Sequence, residues 1–359
     1  MGEHAKTTMK CLKAVLTTAC LVFSIAPAAI THARAAEPFA MQKALPVPGE
    51  GGGEFDHFTI DLTGNRLFVA DEGHAAVYVY DTNTNELVTI LGKGVIHSPH
   101  SMTYRADLGQ LYVVDGDFKF GAVRIYDTKS YKLLKTIELP PMSDWSAYDP
   151  VTKQLWVSEI GIVQKKAEST VQVIDTSAGT ILSEFTVDDN VITDLSIDPT
   201  KPVLYTALRT KSFIAVIDRM SHKTIATWPV TGCTGLGHMA EDPDNHLLFD
   251  NCRSGQMLVF DTETGKQIAS VPINQHSDEL QYIKATKRLY IVAQGAPKEG
   301  TPTIEVIQQI DRDHYQSLGQ AVTSEGARTG IFVPEYQKYY VGAPKTSTKA
   351  PQVLVYGAN

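Results

Sequence analysis

The sequence lacks the short motifs that identify several common enzyme classes. It contains no glycine-rich nucleotide-binding loop, no Gly-x-Ser-x-Gly elbow, no Cys-x-x-Cys-His haem site and no zincin helix. These absences argue against any chemistry that depends on one of these local motifs. A functional site in this chain must instead be assembled by the fold from residues that are distant in the sequence.

Positive charge is also scarce, and part of it lies in an N-terminal segment of distinct character. Lys6, Lys10 and Lys13 precede an apolar run over residues 14–29, and Ala33-Arg34-Ala35 resembles a cleavage site. We interpret residues 1–35 as a secretory signal peptide, which predicts a periplasmic or secreted mature chain of residues 36–359 that forms one domain. The apolar run is short for a membrane anchor, so we expect no transmembrane span after cleavage. Acylation at Cys20 is the other alternative.

The predicted mature chain is strongly acidic. Removal of residues 1–35 leaves 28 basic and 39 acidic residues, a net charge of −11. Binding to nucleic acid depends largely on the neutralisation of phosphates by basic side chains. The charge therefore argues against nucleic acid, and against an anionic lipid surface, as a partner.

Only two cysteines, Cys233 and Cys252, remain in the predicted mature chain. Two cysteines in an oxidising compartment are typical of one disulfide bond. A redox-active pair is the alternative.

An internal repeat of about 45 residues is the strongest signal in the sequence. Its best marker is a strand of the type VYVYDT, which ends at Thr82 and recurs as VRIYDT, VQVIDT, IAVIDR, MLVFDT, IEVIQQ and VLVYGA. A second strand of the type RLFVAD precedes each marker, and short polar turns follow most of them. Seven units of four antiparallel strands, with no helical segment between them, predict an all-β, seven-bladed β-propeller. The seventh unit stops after its third strand, so we expect residues 39–48 to supply the missing strand and close the ring.

The repeat, with its LYV second strand and V-x-V-I-D-T third strand, resembles the YVTN repeat of the YncE-like β-propellers, a WD40-like architecture. The resemblance covers essentially the whole predicted mature chain. It implies the propeller fold and an exported bacterial protein. Some members of this family are described as DNA-binding, an activity that the net charge of −11 argues against here.

The repeat register places one set of residues at the mouth of the central channel, where the innermost strands begin. Counted back from the leucine (Tyr339 in the last unit) that opens each second strand, two adjacent positions are predominantly ionisable or polar. We predict a ligand site there, formed by Asp56, His57, His100, Asp144, Trp145, Asp194, His238, Asp278, Glu279 and Arg328.

Three histidines and five carboxylates in this set favour two kinds of chemistry. Histidine and carboxylate side chains bind divalent metal ions, and a histidine among carboxylates can act as a general acid or base. A divalent ion held by His57, His100, His238 and Glu279 is therefore one hypothesis. The alternative is an ordinary polar channel filled with water, because these histidines lack the close spacing of a local metal motif.

The loops between second and third strands lie at the same mouth. Residues 71–74, 115–120 and 209–211 are candidates for ligand contact, or they are ordinary exposed turns. The two cysteines also fall at this end of the fifth blade, and a disulfide there would hold the loop that precedes His238.

Three functions are consistent with these features. We favour a module, expected to be monomeric, that binds a small molecule or a protein at the channel mouth. The first alternative is a metal-assisted hydrolase or lyase, similar to lactonases and streptogramin lyases, in which the histidines, Asp194 and Glu279 bind the ion or move protons and Arg328 holds an anionic substrate. The second is a propeller subunit of a periplasmic redox enzyme, similar to amine dehydrogenase heavy chains.

Overall fold

The computed structural model describes residues 37–49, 51–295 and 300–359. The predicted signal peptide and Cys20 lie outside these ranges. Within them, no helix has the length and apolar character needed to cross a membrane. Three single-turn 3₁₀ helices are found at Gly161–Gln164, Pro243–Asn245 and Pro334–Tyr336.

The described residues form seven antiparallel sheets of four strands each. The chain begins with β1 (Phe39–Pro46). The strands of the first three blades are β2 (Phe55–Asp61), β3 (Arg66–Asp71), β4 (Ala76–Asp81), β5 (Leu87–Leu91), β6 (Pro99–Arg105), β7 (Gln110–Asp117), β8 (Phe120–Asp127), β9 (Leu133–Leu139), β10 (Ser143–Asp149), β11 (Gln154–Glu159), β12 (Ser169–Asp175) and β13 (Thr180–Val187).

The fourth to seventh blades follow the same order. Their strands are β14 (Ser196–Ile197), β15 (Val203–Leu208), β16 (Phe213–Asp218), β17 (Lys223–Pro229), β18 (Leu236–Asp242), β19 (Leu247–Cys252), β20 (Gln256–Asp261), β21 (Lys266–Pro272), β22 (Ser277–Ile283), β23 (Arg288–Ala293), β24 (Thr303–Gln309), β25 (Tyr315–Val322), β26 (Gly330–Val333), β27 (Lys338–Ala343) and β28 (Gln352–Ala358).

The first strands of the blades form a closed inner ring. Each contacts the first strand of the next blade, from β2 through β6, β10, β14, β18, β22 and β26, and β26 contacts β2 again. The hydrophobic core lies between neighbouring blades rather than inside any one of them. Phe68 and Val79 of the first blade, for example, pack in one cluster with Leu111 of the second. The predicted all-β fold of seven four-stranded blades is confirmed.

The N-terminal strand completes the seventh blade. Strand β1 pairs antiparallel with β28, from Phe39 opposite Ala358 to Pro46 opposite Gln352. The Phe39 ring is buried and contacts the rings of Phe332 and Tyr339 at centroid distances of 5.6 and 5.7 Å. The ring is therefore closed by the segment that the truncated seventh repeat predicted.

Candidate functional site

Irregular starts of the innermost strands form the channel mouth. In β2, β6, β10 and β18 the pairing with the second strand is interrupted directly after the first residue of the strand. A bulge of this kind breaks the strict alternation of side chains between the two faces of a strand. The residues that it frees are the two aligned positions of the repeat: Asp56–His57, His100–Ser101, Asp144–Trp145 and Gly237–His238.

These bulges open into a cavity of about 220 Å³. Seven of the ten predicted site residues line it, and each of the other three, Trp145, Asp194 and Glu279, lies next to a lining histidine. The lining consists of Asp56, His57, Glu72, His100, Met142, Asp144, Ile160, Thr193, Arg209, His238, Arg253, Asp278 and Arg328.

Three aromatic rings pack together at this cavity. The centroid of the Trp145 ring lies 4.2 Å from that of His57 and 4.6 Å from that of His238. The two histidine rings are 4.8 Å apart. Because Trp145 touches two cavity residues, its fluorescence is expected to report on events in the cavity.

Two of the predicted carboxylates, Asp194 and Glu279, contact groups next to the cavity and are not part of its lining. Asp194 is buried, and its oxygens accept hydrogen bonds from the backbone N–H groups of Leu195 and Met239 at 2.6 and 2.5 Å. Glu279 Oε2 lies 3.2 Å from His57 Nδ1. Asp194 therefore orders the backbone next to His238, and Glu279 orients the ring of His57.

His100 is at the centre of an acidic group on one side of the cavity. Its Nδ1 lies 2.8 Å from Asp56 Oδ2, 3.3 Å from Asp144 Oδ1 and 3.7 Å from Glu72 Oε2. Its Nε2 lies 2.8 Å from the carbonyl oxygen of Gly116, to which it donates. A Cβ at position 116 would clash with the carbonyl oxygen of Ser143. Glycine is therefore required where the backbone of residue 116 passes close to that of Ser143.

The charges around His100 shift the pKa values of the group. Burial alone would lower the pKa of His100, but the hydrogen bond to Asp56 and the charges of Asp144, Asp56 and Glu72 outweigh it and raise the pKa to about 10. Burial and the charge of Asp56 raise the pKa of Glu72 to about 7. For Asp56, burial is outweighed by His57 and His100, and its pKa is lowered.

His57 bridges two carboxylates. Its Nε2 lies 3.1 Å from Asp56 Oδ1, and its Nδ1 faces Glu279. Burial opposes protonation of the ring, but the charge of Asp56 and the hydrogen bond to Glu279 raise the pKa of His57 to about 9. At neutral pH the His57 ring is therefore a cation that faces Asp56 on one side and Glu279 on the other.

Two of the three arginines in the cavity wall are paired with carboxylates. Arg328 Nη2 lies 3.4 Å from Glu72 Oε1, and its Nε lies 3.3 Å from Asp278 Oδ2. The other oxygen of Asp278 pairs with Arg253. Although burial opposes ionisation of Asp278, the charges of Arg253 and Arg328 lower its pKa.

Arg209, the third arginine of the cavity wall, differs from Arg253 and Arg328 in its partners. Its Nε donates to the carbonyl oxygen of Leu236 at 2.7 Å, and no carboxylate of the described residues lies within ion-pair distance of its guanidinium group. Burial and the neighbouring charge of Arg253 lower the pKa of Arg209 to about 10. The cavity wall therefore carries a partly buried cation that forms no ion pair with the described residues.

His238 is a second cavity residue whose side chain is poorly satisfied. It is 8% exposed, and its ring forms no hydrogen bond with any described residue. The nearest carboxylate oxygens, of Asp194 and Asp278, lie 3.7 and 3.9 Å from its ring nitrogens.

The four residues of the predicted metal site do not form one group of ligands in the structure. Among the described residues, ligand atoms within 4.8 Å of one another occur in Asp56–His100–Asp144 and in an exposed turn, Asp311–Asp313–His314. Of His57, His100, His238 and Glu279, only His100 belongs to such a group. His57 and Glu279 pair with each other. His238 belongs to neither of the two ligand groups.

The repeat register also contained a signal for lining residues outside the ten. Glu72 and Arg209 lie in the loops between second and third strands that the sequence indicated, whereas Ile160 and Arg253 were not predicted. All four occupy one repeat position, five residues after the leucine of the second strand. Alignment of that position across the blades would have found them.

The predicted disulfide bond is present. Cys233 and Cys252 are joined, with their Cα atoms 5.8 Å apart. The bond connects the loop before β18 to the end of β19, and both Arg253 and His238 follow closely in the sequence. It therefore fixes the backbone on the basic side of the cavity.

Comparisons with solved structures agree with this architecture. The chain is similar to a chain of Kuenenia stuttgartiensis hydrazine synthase, with a TM-score of 0.69 and 16% identity over 84% of this chain and 98% of that one. It is also similar to a chain in a crystal structure of the mitotic checkpoint complex, with a TM-score of 0.71 and 15% identity over 96% of this chain and 99% of that one. No protein-family model and no curated protein sequence matches.

Likenesses at these identities show the fold alone. The chain is a seven-bladed β-propeller, and an ionisable cavity lies at one end of its central channel.

Proposed function

We propose that this protein is an exported, monomeric propeller of the YncE-like, YVTN-repeat type that binds a small anionic molecule in the channel mouth. The export and the family membership rest on the N-terminal segment and on the repeat. The anionic character of the ligand rests on the cavity wall. β-Propellers often serve as binding modules, but the ligand class has to be argued from the site itself.

Arg209 is the observation that carries this proposal. A partly buried guanidinium group without a carboxylate partner is unfavourable, and an anion placed against it would form charge-assisted hydrogen bonds. Arg253 and His238 line the same cavity, and Nε of Arg253 and Nδ1 of His238 are buried without a hydrogen-bond partner in the described part of the chain. The wall therefore offers several donors to one acceptor group, such as a carboxylate or a phosphate.

The test compares two substitutions that each remove one positive charge. Inorganic phosphate and a set of small mono- and dicarboxylates are screened by thermal shift, and affinities are measured by calorimetry and Trp145 fluorescence. We expect Arg209→Gln to lower the affinity for the most tightly bound anion roughly 10- to 100-fold, because a hydrogen bond to a charged group contributes about 1.5–3 kcal/mol.

Lys211→Gln is the matched control, because Lys211 is exposed and pairs with Asp188 outside the cavity. Equal affinities for the parent and Arg209→Gln would contradict the proposal. So would a screen in which no anion binds, or an equal loss of affinity in Lys211→Gln.

A metal-assisted hydrolase or lyase is the second candidate. The carboxylates around His100 favour it, because such an enzyme needs a bound metal ion to polarise the substrate or to activate a water molecule. A hydrolase or lyase would lose turnover on chelation, whereas a binding module would have no turnover to lose. The redox-subunit alternative has no comparable support, since the likeness to hydrazine synthase extends only to the fold.

A further inference from the structure

We propose that Asp56, His100 and Asp144, with Glu72 beside them, bind one divalent transition-metal ion, Mn²⁺ or Zn²⁺. One ligand atom from each of the first three residues lies within 4.8 Å of the other two. The three residues come from the bulged starts of three consecutive innermost strands. The ring of blades therefore brings together residues that are up to 88 positions apart in the sequence.

The orientation of His100 is the one that a metal ligand requires. A histidine that binds a metal through one ring nitrogen usually donates a hydrogen bond from the other to a carboxylate or a carbonyl oxygen. Here Nε2 donates to the carbonyl oxygen of Gly116 at 2.8 Å, and Nδ1 faces the carboxylates. The ring is nine-tenths buried and cannot turn away without losing this bond.

The carboxylates around Nδ1 exceed what one proton can satisfy. Oxygens of Asp56, Asp144 and Glu72 lie within 3.7 Å of this nitrogen, which can donate one hydrogen bond at most. Of the other donors, His57 faces the second oxygen of Asp56 at 3.1 Å, Arg328 reaches Oε1 of Glu72, and Ser98 donates weakly to Oε2 of Glu72 at 3.3 Å. None of these donors reaches the side-chain oxygens of Asp144. A divalent cation could interact with all three carboxylates at once.

A separate observation points to a bound group in this cavity. His238 is nine-tenths buried and lines the same space, yet its ring has no hydrogen-bond partner among the described residues. Unpaired buried polar groups are costly, and native structures usually satisfy them with a protein group, an ordered water or an ion. The side-chain network alone therefore leaves the cavity incompletely satisfied.

The donor set selects the class of ion. Ca²⁺ and Mg²⁺ prefer oxygen ligands alone, whereas Zn²⁺, Mn²⁺ and Fe²⁺ accept an imidazole together with carboxylates. No thiol lies in the lining, which argues against Cu⁺. This assignment does not depend on anion binding at Arg209, which lies outside the ligand set.

The experiment uses the intact exported protein, purified, treated with a chelator and dialysed. Mn²⁺ binding is followed by electron paramagnetic resonance, and Zn²⁺ binding by calorimetry and elemental analysis. We expect one ion per chain. Asp144→Asn and Glu72→Gln should each lower the affinity by at least about tenfold, since losses of 10- to 100-fold are typical even for outer-shell residues.

Asp311→Asn provides the matched control, because Asp311, Asp313 and His314 form an exposed group of the same composition. It should leave the affinity unchanged, and so should Lys211→Gln, because Lys211 lies outside the cavity. Metal binding is measured in buffer without phosphate or carboxylates, which separates this proposal from anion binding. Circular dichroism and melting temperature identify any variant that fails to fold, and retained binding in either folded cavity variant counts against the site. A parent protein that binds neither ion, or that loses binding through Asp311→Asn, overturns the proposal.

Discussion

Glu241 lies in the innermost strand of the fifth blade, outside the cavity, and its carboxyl group is partly buried. Ser196 Oγ donates to its Oε1 at 2.8 Å. Burial raises the pKa of Glu241 to about 7; the Ser196 bond acts in the opposite direction, and the charges of Asp198 and Asp194 add to the increase. The ordinary value is 4.5. Between these two pH values the folded protein holds a proton that the unfolded chain has released, so stability falls as the pH rises.

Glu241→Gln should remove this pH dependence. The amide is neutral at every pH and keeps an oxygen for the Ser196 hydrogen bond. We expect the variant to match the parent at pH 4 and to exceed its free energy of unfolding by on the order of 2 kcal/mol at pH 8. Urea denaturation at both pH values measures the difference.

Glu86→Gln, on an exposed turn, controls for the loss of one negative charge. An equal effect of the two substitutions at pH 8 would show that net charge, and not burial of Glu241, is responsible.

The loop before β18 is joined to the end of β19 by the Cys233–Cys252 disulfide, with a sequence separation of 19. A cross-link of this length restricts the unfolded chain by about 3 kcal/mol in the chain-entropy treatment. The Cys233→Ala and Cys252→Ala double variant should lose stability of that order in denaturant unfolding.

The parent with its bond reduced and alkylated provides an independent comparison, and intact mass confirms the redox state. The double variant should also bind its anion more weakly, because the bond fixes the backbone beside Arg253 and His238. Unchanged stability and unchanged affinity would show that neighbouring packing holds this loop without the bond.

Closure of the ring depends on β1, because β28 would otherwise present an unpaired edge. Deletion of residues 36–48 removes the β1–β28 pairing and the buried ring of Phe39. We expect a sharply lower melting temperature and a tendency to aggregate, measured by calorimetry and light scattering. A truncated protein as stable as the parent would contradict closure by β1.

Two point substitutions separate packing from pairing in the same strand. Phe39→Ala should cost about 3–5 kcal/mol, as is typical for a buried aromatic ring. Met41→Ala should cost little, because Met41 is 57% exposed. A larger loss of stability in Phe39→Ala than in Met41→Ala would assign the stabilisation to the Phe39 side chain, which packs between the sixth and seventh blades.

The closed ring of seven blades also explains how much of the site could be predicted from the sequence. The period of the repeat predicted which residues begin each innermost strand, so Asp56, His100 and His238 were found without any motif. Their partners could not be predicted in the same way. His57 meets Glu279 across 222 residues, and Arg328 meets Glu72 across 256, because the first and last blades are neighbours only in the closed ring.

The sequence by itself determined the strand pattern, the number of blades, the closing strand and the cysteine pair. These features follow from local alternation and from a period, which adjacent residues encode directly. Only the tertiary structure decided that Asp56, Asp144 and Glu72 surround His100, while Arg209 has no carboxylate partner among the described residues. Side-chain pairing at the mouth depends on bulge geometry and on distances across the channel, and the repeat register specifies neither.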